Sequence, residues 1–213
     1  FFKFNGVSGI ENFFEAAAAG MLPQFSIIDP QFFGAGANDD HPDHDIQLGQ
    51  ALIASIYQAL AQSPQWSNCL FVITYDEHGG FFDHVPPPIT TDSNPDFLQL
   101  GFRVPSLVVG PFVKKGCVVS TTFEHVSVIK TLCTRFGLDP LYDRVVAAED
   151  LSCCIQPGYL ARPQARVRLP PLEISLQSVL SRAPRNHHPE IWRAAESGLI
   201  PPHLARRSDS HGI

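Results

Sequence analysis

At residue 75 the chain changes character in one step. Leu70-Phe71-Val72-Ile73-Thr74-Tyr75 is an unbroken apolar, β-prone run, and Asp76-Glu77-His78-Gly79-Gly80 follows it directly. The run is long enough for a strand and too short for a helix. A strand without polar alternation is expected to be covered on both faces, as in a parallel sheet. Asp76 and Glu77 then fall just past its C-terminal end, the edge where open α/β sheets bind ligands. Pro86, Pro87 and Pro88 close the segment and exclude helix there.

Elements on either side support an α/β fold. Ile10 to Ala19 reads as a helix stopped by Gly20. Ile46, Leu52, Ile53, Ile56 and Leu60 recur at helical spacing and predict a second helix from about Ile46 to Leu60. Phe25 to Ile28 is a short β-like run that ends in Asp29-Pro30 and a Gly-rich loop through Asn38. After Arg103, Val104 to Val109 predicts a second buried strand, Pro111 to Gly116 a turn, and Val118-Val119 a short edge strand. Glu124 to Phe136 predicts an amphipathic helix that Gly137 ends. From Leu151 the chain is Pro- and Arg-rich and reads as a peripheral tail, with a short helix near Glu190 to Glu196. No repeat and no second domain is evident, and 213 residues suffice for one α/β domain with a core.

The bulk numbers narrow the partners. With 15 Lys and Arg against 21 Asp and Glu, the net charge is −6, which argues against a nucleic-acid partner. A small phosphate ester held by a metal ion requires no net positive charge. No apolar run reaches the roughly 18 residues of a membrane span. The chain starts without Met and without a signal peptide, and is read as a fragment or processed chain of undetermined location. Five Cys, at 69, 117, 133, 153 and 154, match no metal-binding spacing. Cys69, Cys117 and Cys133 lie in apolar stretches and read as small core residues. The odd number leaves at least one thiol outside intramolecular pairing.

Two polar clusters carry the chemistry. Hard divalent cations take carboxylate oxygens, and phosphoryl transfer needs positive charge beside the equatorial oxygens. Asp76 and Glu77 suit that need; Gly79 and Gly80 let the backbone approach a ligand. His78 and His84 flank the turn, where an imidazole can hydrogen-bond a phosphate or orient a carboxylate. Alone, this segment would equally suit a surface turn. The second cluster is Asp39-Asp40-His41-Pro42-Asp43-His44-Asp45. Asp45 reads as a helix N-cap, Asp43 as solvated, and His41 or His44 as a minority candidate for phosphate contact. His187-His188 reads as surface.

Thr74 to Pro88, with its Asp-Glu-His-Gly-Gly block and Asp-His-Val-Pro-Pro-Pro extension, resembles the signature of the phosphoesterase family. That family contains bacterial and plant non-specific phospholipases C and certain acid phosphatases. Asp39-Asp40-His41-Pro42 with Asp45 and Gly49-Gln50, Gly101 to Pro105 running to Lys115-Gly116, Phe123 to Val128, and Asp150-Leu151-Ser152 match other stretches of the family in order. The resemblance implies an alkaline-phosphatase-like three-layer sandwich, present in part, with a mixed and mostly parallel sheet covered by helices on both faces. Residues 1–165 would be the C-terminal part of the catalytic domain and 166–213 a peripheral tail.

The same resemblance implies a divalent metal ion (Ca, Mg, Mn or Zn) on Asp76 and Glu77. It makes His41 the phosphoryl contact, with His78 the other catalytic candidate. His125 would open its helix and support the site, and Arg103 would be an ion-pair partner. A phospholipid or small phosphate ester is the implied substrate, with phosphatidylcholine-type head-group release leading and peripheral membrane contact allowed. Members are often secreted or periplasmic. In the family a metal-bound Ser or Thr attacks phosphorus, and an N-terminal Glu-Asn-Arg-Ser-Phe-Asp-His-like motif supplies further ligands. Glu11-Asn12-Phe13-Phe14 echoes that motif only superficially, so the nucleophile is expected to be missing here. The alternative is a non-catalytic phosphate- or metal-binding fragment or pseudo-enzyme. A structural domain without chemistry is the least favoured reading.

Overall fold

The computed structural model describes residues 6–34, 36–42, 44–171, 173–175 and 177. It is a mixed α/β chain. In order come α1 (Ile10–Ala19), α2 (Ile46–Gln62), β1 (Phe71–Thr74), β2 (Ser106–Val109), α3 (Val126–Phe136), α4 (Asp143–Ala147) and α5 (Pro157–Ala161). Single 3-10 turns cover Trp66–Asn68, Pro95–Phe97 and Leu151–Cys154. The chain divides into two units: Phe1–Phe25 with Ile56–Arg168, and Ser26–Ser55 with Leu169–Ile213.

The three long helices form where the sequence predicts them. Gly20 and Gly137 end α1 and α3 in the left-handed conformation. Beyond them, Met21 N–H donates to Ala16 O and Leu138 N–H to Cys133 O, which satisfies carbonyls the helices leave open. At its other end α2 starts directly after Asp45, whose Oδ1 accepts the Gln47 N–H at 3.0 Å. Asp45 is therefore an N-cap, as its position suggests.

The sheet departs from expectation. β1 and β2 pair antiparallel, in register Phe71↔Val109 to Thr74↔Ser106, and form a two-stranded sheet. The expected mostly parallel sheet is not what the described residues build. An apolar run specifies a strand but not the direction of its neighbour; the connection decides that. Parallel neighbours need a crossover, usually a helix. Here residues 75–105 hold three consecutive prolines and one 3-10 turn, with Ile89 bridged to Gln99. Nor is the pair covered on both faces: Thr74, Ser106 and Leu107 are exposed.

Val118-Val119 forms no strand, and Val118 is 92% exposed. Phe25 to Ile28 forms none either. Val113 instead bridges Ile155, so the partner comes from the stretch read as peripheral. Residues 151–167 are built into their unit. Leu151 and Cys154 are buried. The Gln164 N–H and side-chain amide donate to Pro111 O and Val113 O, each at 2.7 Å. Arg166 donates to Ala61 O, and the Tyr57 hydroxyl donates to Val167 O while accepting the Val167 N–H.

α3 packs against α4 and the Leu151–Cys154 turn, around the fully buried Val145. Cys133 is buried as expected, but Cys117 is exposed on the turn after Gly116, and Cys69 is half-buried, which pushes its thiol pKa up. The expected helix at Glu190 to Glu196, along with His187, His188 and Asp43, lies outside the described residues. No described helix is long and apolar enough to cross a membrane.

Candidate functional site

β1 ends at Thr74, whose hydroxyl lies 2.8 Å from the Ser106 hydroxyl across the strand pair. Tyr75 N–H still reaches Pro105 O at 3.4 Å, and the backbone then leaves the sheet. Asp76 and Glu77 stand exposed at that exit. Asp76 Oδ1 accepts the Glu77 N–H at 3.0 Å, and Glu77 Oε2 accepts the Gly79 N–H at 2.7 Å. Gly79 and Gly80 have φ of 67° and 76°. Two successive left-handed residues turn the chain back sharply, which side chains with a Cβ resist.

His78 closes this turn. Its Nδ1–H donates to Phe81 O at 2.9 Å, and its ring meets Phe102 edge-on with centroids 4.7 Å apart. In the neutral ring this makes Nε2 the lone-pair nitrogen. Phe81 and Phe82 follow, 69% and 88% exposed.

Asp83 is held by Arg103 in a two-pronged ion pair, Nε to Oδ2 and Nη2 to Oδ1, both at 2.7 Å. Val85 N–H adds a bond to Oδ1 at 3.1 Å. Hydrogen bonding from Arg103 first, and from Val85 second, holds the Asp83 carboxyl well below the usual carboxylate range. Arg103 is thus an ion-pair partner, as expected. The exposed His84 lies 3.7 Å from the same carboxylate.

From the other side, His125 Nε2 donates to Tyr75 O at 2.9 Å, and α3 begins at the next residue. A cluster that the sequence did not reveal lies nearby. Arg144 Nε donates to Glu124 Oε2 at 2.5 Å, and its Nη1 to Asp92 Oδ2 at 3.2 Å. Glu124 Oε1 accepts from Thr90, and Glu124 N–H donates to the buried Ser127 hydroxyl. This network joins the long β1–β2 connection to the start of α3. Its members are 34 and 52 residues apart along the chain, so no local pattern announces them.

In the other unit, Asp39 and His44 form a buried pair with Oδ1 to Nδ1 at 2.5 Å. Asp39 also accepts the His41 N–H at 3.3 Å. His41 Nδ1–H donates to Pro42 O at 3.0 Å, and its ring sits 5.7 Å from that of His44. Asp40 adopts φ of 60°, and its carboxylate lies so close over Gly49 that a Cβ there would collide with it. A side chain at position 49 would therefore require the Asp40 carboxylate to move.

Asp76, Glu77 and His78 are therefore gathered in one turn, and His41 belongs to the other unit. A structural divalent site needs several oxygen or nitrogen donors converging on one point. Asp76 and Glu77 offer two carboxylates, each bonded to the local backbone. Among the described residues no three His, Cys, Asp or Glu side chains gather to hold a metal ion. The donors present do not by themselves complete a metal site.

Residues 2–139 match the sequence model of the Phosphoesterase family. The chain belongs to that family. The chain is 44% identical to non-specific phospholipase C6 of Arabidopsis thaliana, over 57% of this chain and 28% of that protein. It is 43% identical to non-specific phospholipase C3 of the same plant, over 56% of this chain and 27% of that protein. With phospholipase C A of Mycobacterium tuberculosis (strain ATCC 25618 / H37Rv) it shares 32% identity, over 56% of this chain and 26% of that protein. The chain spans about a quarter of the length of the curated relatives it matches.

Proposed function

We propose that this phosphoesterase chain carries part of the active centre of a phosphoric ester hydrolase that releases phospholipid head groups, with phosphatidylcholine-type substrates leading. The observation that carries the reading is the side-by-side exposure of Asp76 and Glu77 at the exit of β1, directly before the Gly79-Gly80 turn and inside the segment matched to the family. The names of the relatives, all phospholipases C, support the substrate class.

In this proposal Asp76 and Glu77 give carboxylate oxygens to a divalent ion, Ca, Mg, Mn or Zn, whose other donors lie beyond the described residues. His41 and His78 contact the phosphoryl group. Residues 1–165 are the C-terminal part of the catalytic domain and 166–213 its tail, whose first residues, Arg166 and Val167, are tied back to Ala61 and Tyr57. The complete enzyme has the alkaline-phosphatase-like sandwich, in which β1 and β2 are an antiparallel pair. Phe81 and Phe82, exposed beside the acidic pair, favour peripheral contact with the lipid surface. The chain holds no Glu-Asn-Arg-Ser-Phe-Asp-type segment, and without a nucleophile most rate enhancement is lost.

The test is turnover of p-nitrophenyl phosphorylcholine by this chain with each of the four metals, alongside calorimetric titration of metal and phosphate. The expected result is metal binding that Asp76→Ala abolishes, without turnover. Turnover by the chain alone would overturn the missing nucleophile. A second reading is a non-catalytic phosphate- or metal-binding fragment or pseudo-enzyme, which the exposed Asp76-Glu77 pair would serve without a nucleophile. It is separated from the first by joining the chain to the N-terminal portion of a relative: restored turnover supports the enzyme, and binding that never becomes turnover supports the second reading. Absence of any binding leaves an incomplete, inert site and removes both.

A further inference from the structure

Three of the five thiols are carried by two stretches that pair with each other in the unit containing α3: Cys117 on the loop after Val113, and Cys153 and Cys154 on the closing turn. The strand-like stretch after β2 runs antiparallel to the closing turn: Val113 bridges Ile155, Lys114 N–H donates to Cys154 O at 2.8 Å, and Gln156 N–H to Phe112 O at 2.9 Å. The chain then turns through Gly116 and comes back. At Thr121 it touches the closing turn again, where Cys153 Sγ–H points to the Thr121 hydroxyl at 3.9 Å. The short loop 114–121 is therefore pinned at one end to Cys154 and at the other to Cys153. Cys117 sits in the middle of it. Cys117 and Cys153 are exposed, and Cys154 is buried.

We propose that Cys117 and Cys153 are a modification site: a thiol pair that closes to an intramolecular disulfide by exchange with a low-molecular-weight disulfide of the glutathione class. The thiolate of one cysteine attacks the small disulfide, forming a mixed disulfide and releasing one small thiolate. The other cysteine's thiolate then attacks the protein sulfur of that mixed disulfide and releases the second. The two protein thiols lose two protons and two electrons, and the small disulfide is reduced to two thiols. The product ties the loop that leads into α3 to the turn that closes the unit.

Cys154 is the natural competitor, and its environment disfavours it. Burial, then the neighbouring Cys153 and Cys117, push its thiol up to about 11, so it stays protonated where an exposed thiol ionises. The site is not a metal site either, because no three-donor cluster exists among the described residues.

The test is incubation of the chain with oxidised glutathione, followed by thiol titration and mass mapping under non-reducing conditions. The expected result is a fall from five titratable thiols to three, with one Cys117–Cys153 link and reversal by dithiothreitol. Cys153→Ser and Cys117→Ser should each abolish the link, and Cys154→Ser should leave it. Persistence of a link in Cys153→Ser, a Cys153–Cys154 link, a disulfide between chains, stable glutathione adducts alone, or an unchanged thiol count would each overturn the proposal.

Discussion

His125 and Tyr75, 50 residues apart in sequence, are joined by a 2.9 Å hydrogen bond from the imidazole Nε2 to the backbone carbonyl. The bond ties the residue that caps the start of α3 to the last residue before Asp76. It acts through the backbone and so positions the acidic pair without touching anything bound there.

Replacing His125 by Ala should therefore loosen the β1 exit. A hydrogen bond of this kind contributes about 0.5–1.5 kcal/mol, and this one is exposed. The urea midpoint should fall by the equivalent of that amount, and amide exchange at Glu77 and Gly79 should quicken. An unchanged exchange rate at those amides would show that the tether does not order the turn.

The Asp83–Arg103 pair predicts a particular acid response. The Asp83 carboxyl is depressed in the folded chain, so its contribution is full above the ordinary carboxylate pKa of about 3.9. It is lost as pH falls toward the lowered value. Arg103→Gln should leave a smaller loss of stability between neutral pH and acid than the parent chain shows. Urea midpoints measured across that range check it; parallel curves for the two proteins would refute it.

Gly80 isolates backbone strain from packing. It has φ of 76°, and a Cβ there would meet nothing within 4 Å. Gly80→Ala should cost about 1 kcal/mol from the left-handed conformation alone. Gly80→Asn should cost less, since Asn tolerates that region better. Equal stability of all three chains would mean the turn opens without cost.

Arg144 holds two carboxylates whose side chains are only 12% and 11% exposed. Arg144→Met removes their shared partner and leaves both charges half-buried. It should lower the thermal midpoint more than Arg135→Met, which removes an exposed arginine stacked near Phe136. The loss should shrink in Arg144→Met combined with Glu124→Gln, because one orphaned charge is gone. Thermal unfolding of the three variants decides it.

Much of this was legible before any coordinates. The helix at Ile10–Ala19 has its bounds in a run rich in Ala, Glu and Phe that Gly20 closes, both local properties of the chain. Asp45 as an N-cap and the turn at Gly79-Gly80 are local for the same reason. The family could be read from the block around Asp76, because that signal is contiguous. Pro86 to Pro88 leave little room for a crossover helix and so point to an antiparallel pair, whereas the apolar run alone points to a covered parallel strand. Cys117 is exposed against expectation, because apolar neighbours in sequence do not bury a residue that sits on a turn.

By itself, then, the sequence determined what depends on residues within a few positions of one another: helix periods, caps, the glycine turn and the family motif. The tertiary structure alone decided what depends on residues brought together across long loops. Those are the antiparallel register of Phe71 with Val109, the grip of Arg144 on Glu124 and Asp92, and the anchoring of Tyr75 by His125. The physical reason is that local propensity sets a backbone's shape, whereas a long-range contact forms only where the whole chain offsets the entropy of closing the loop between its ends.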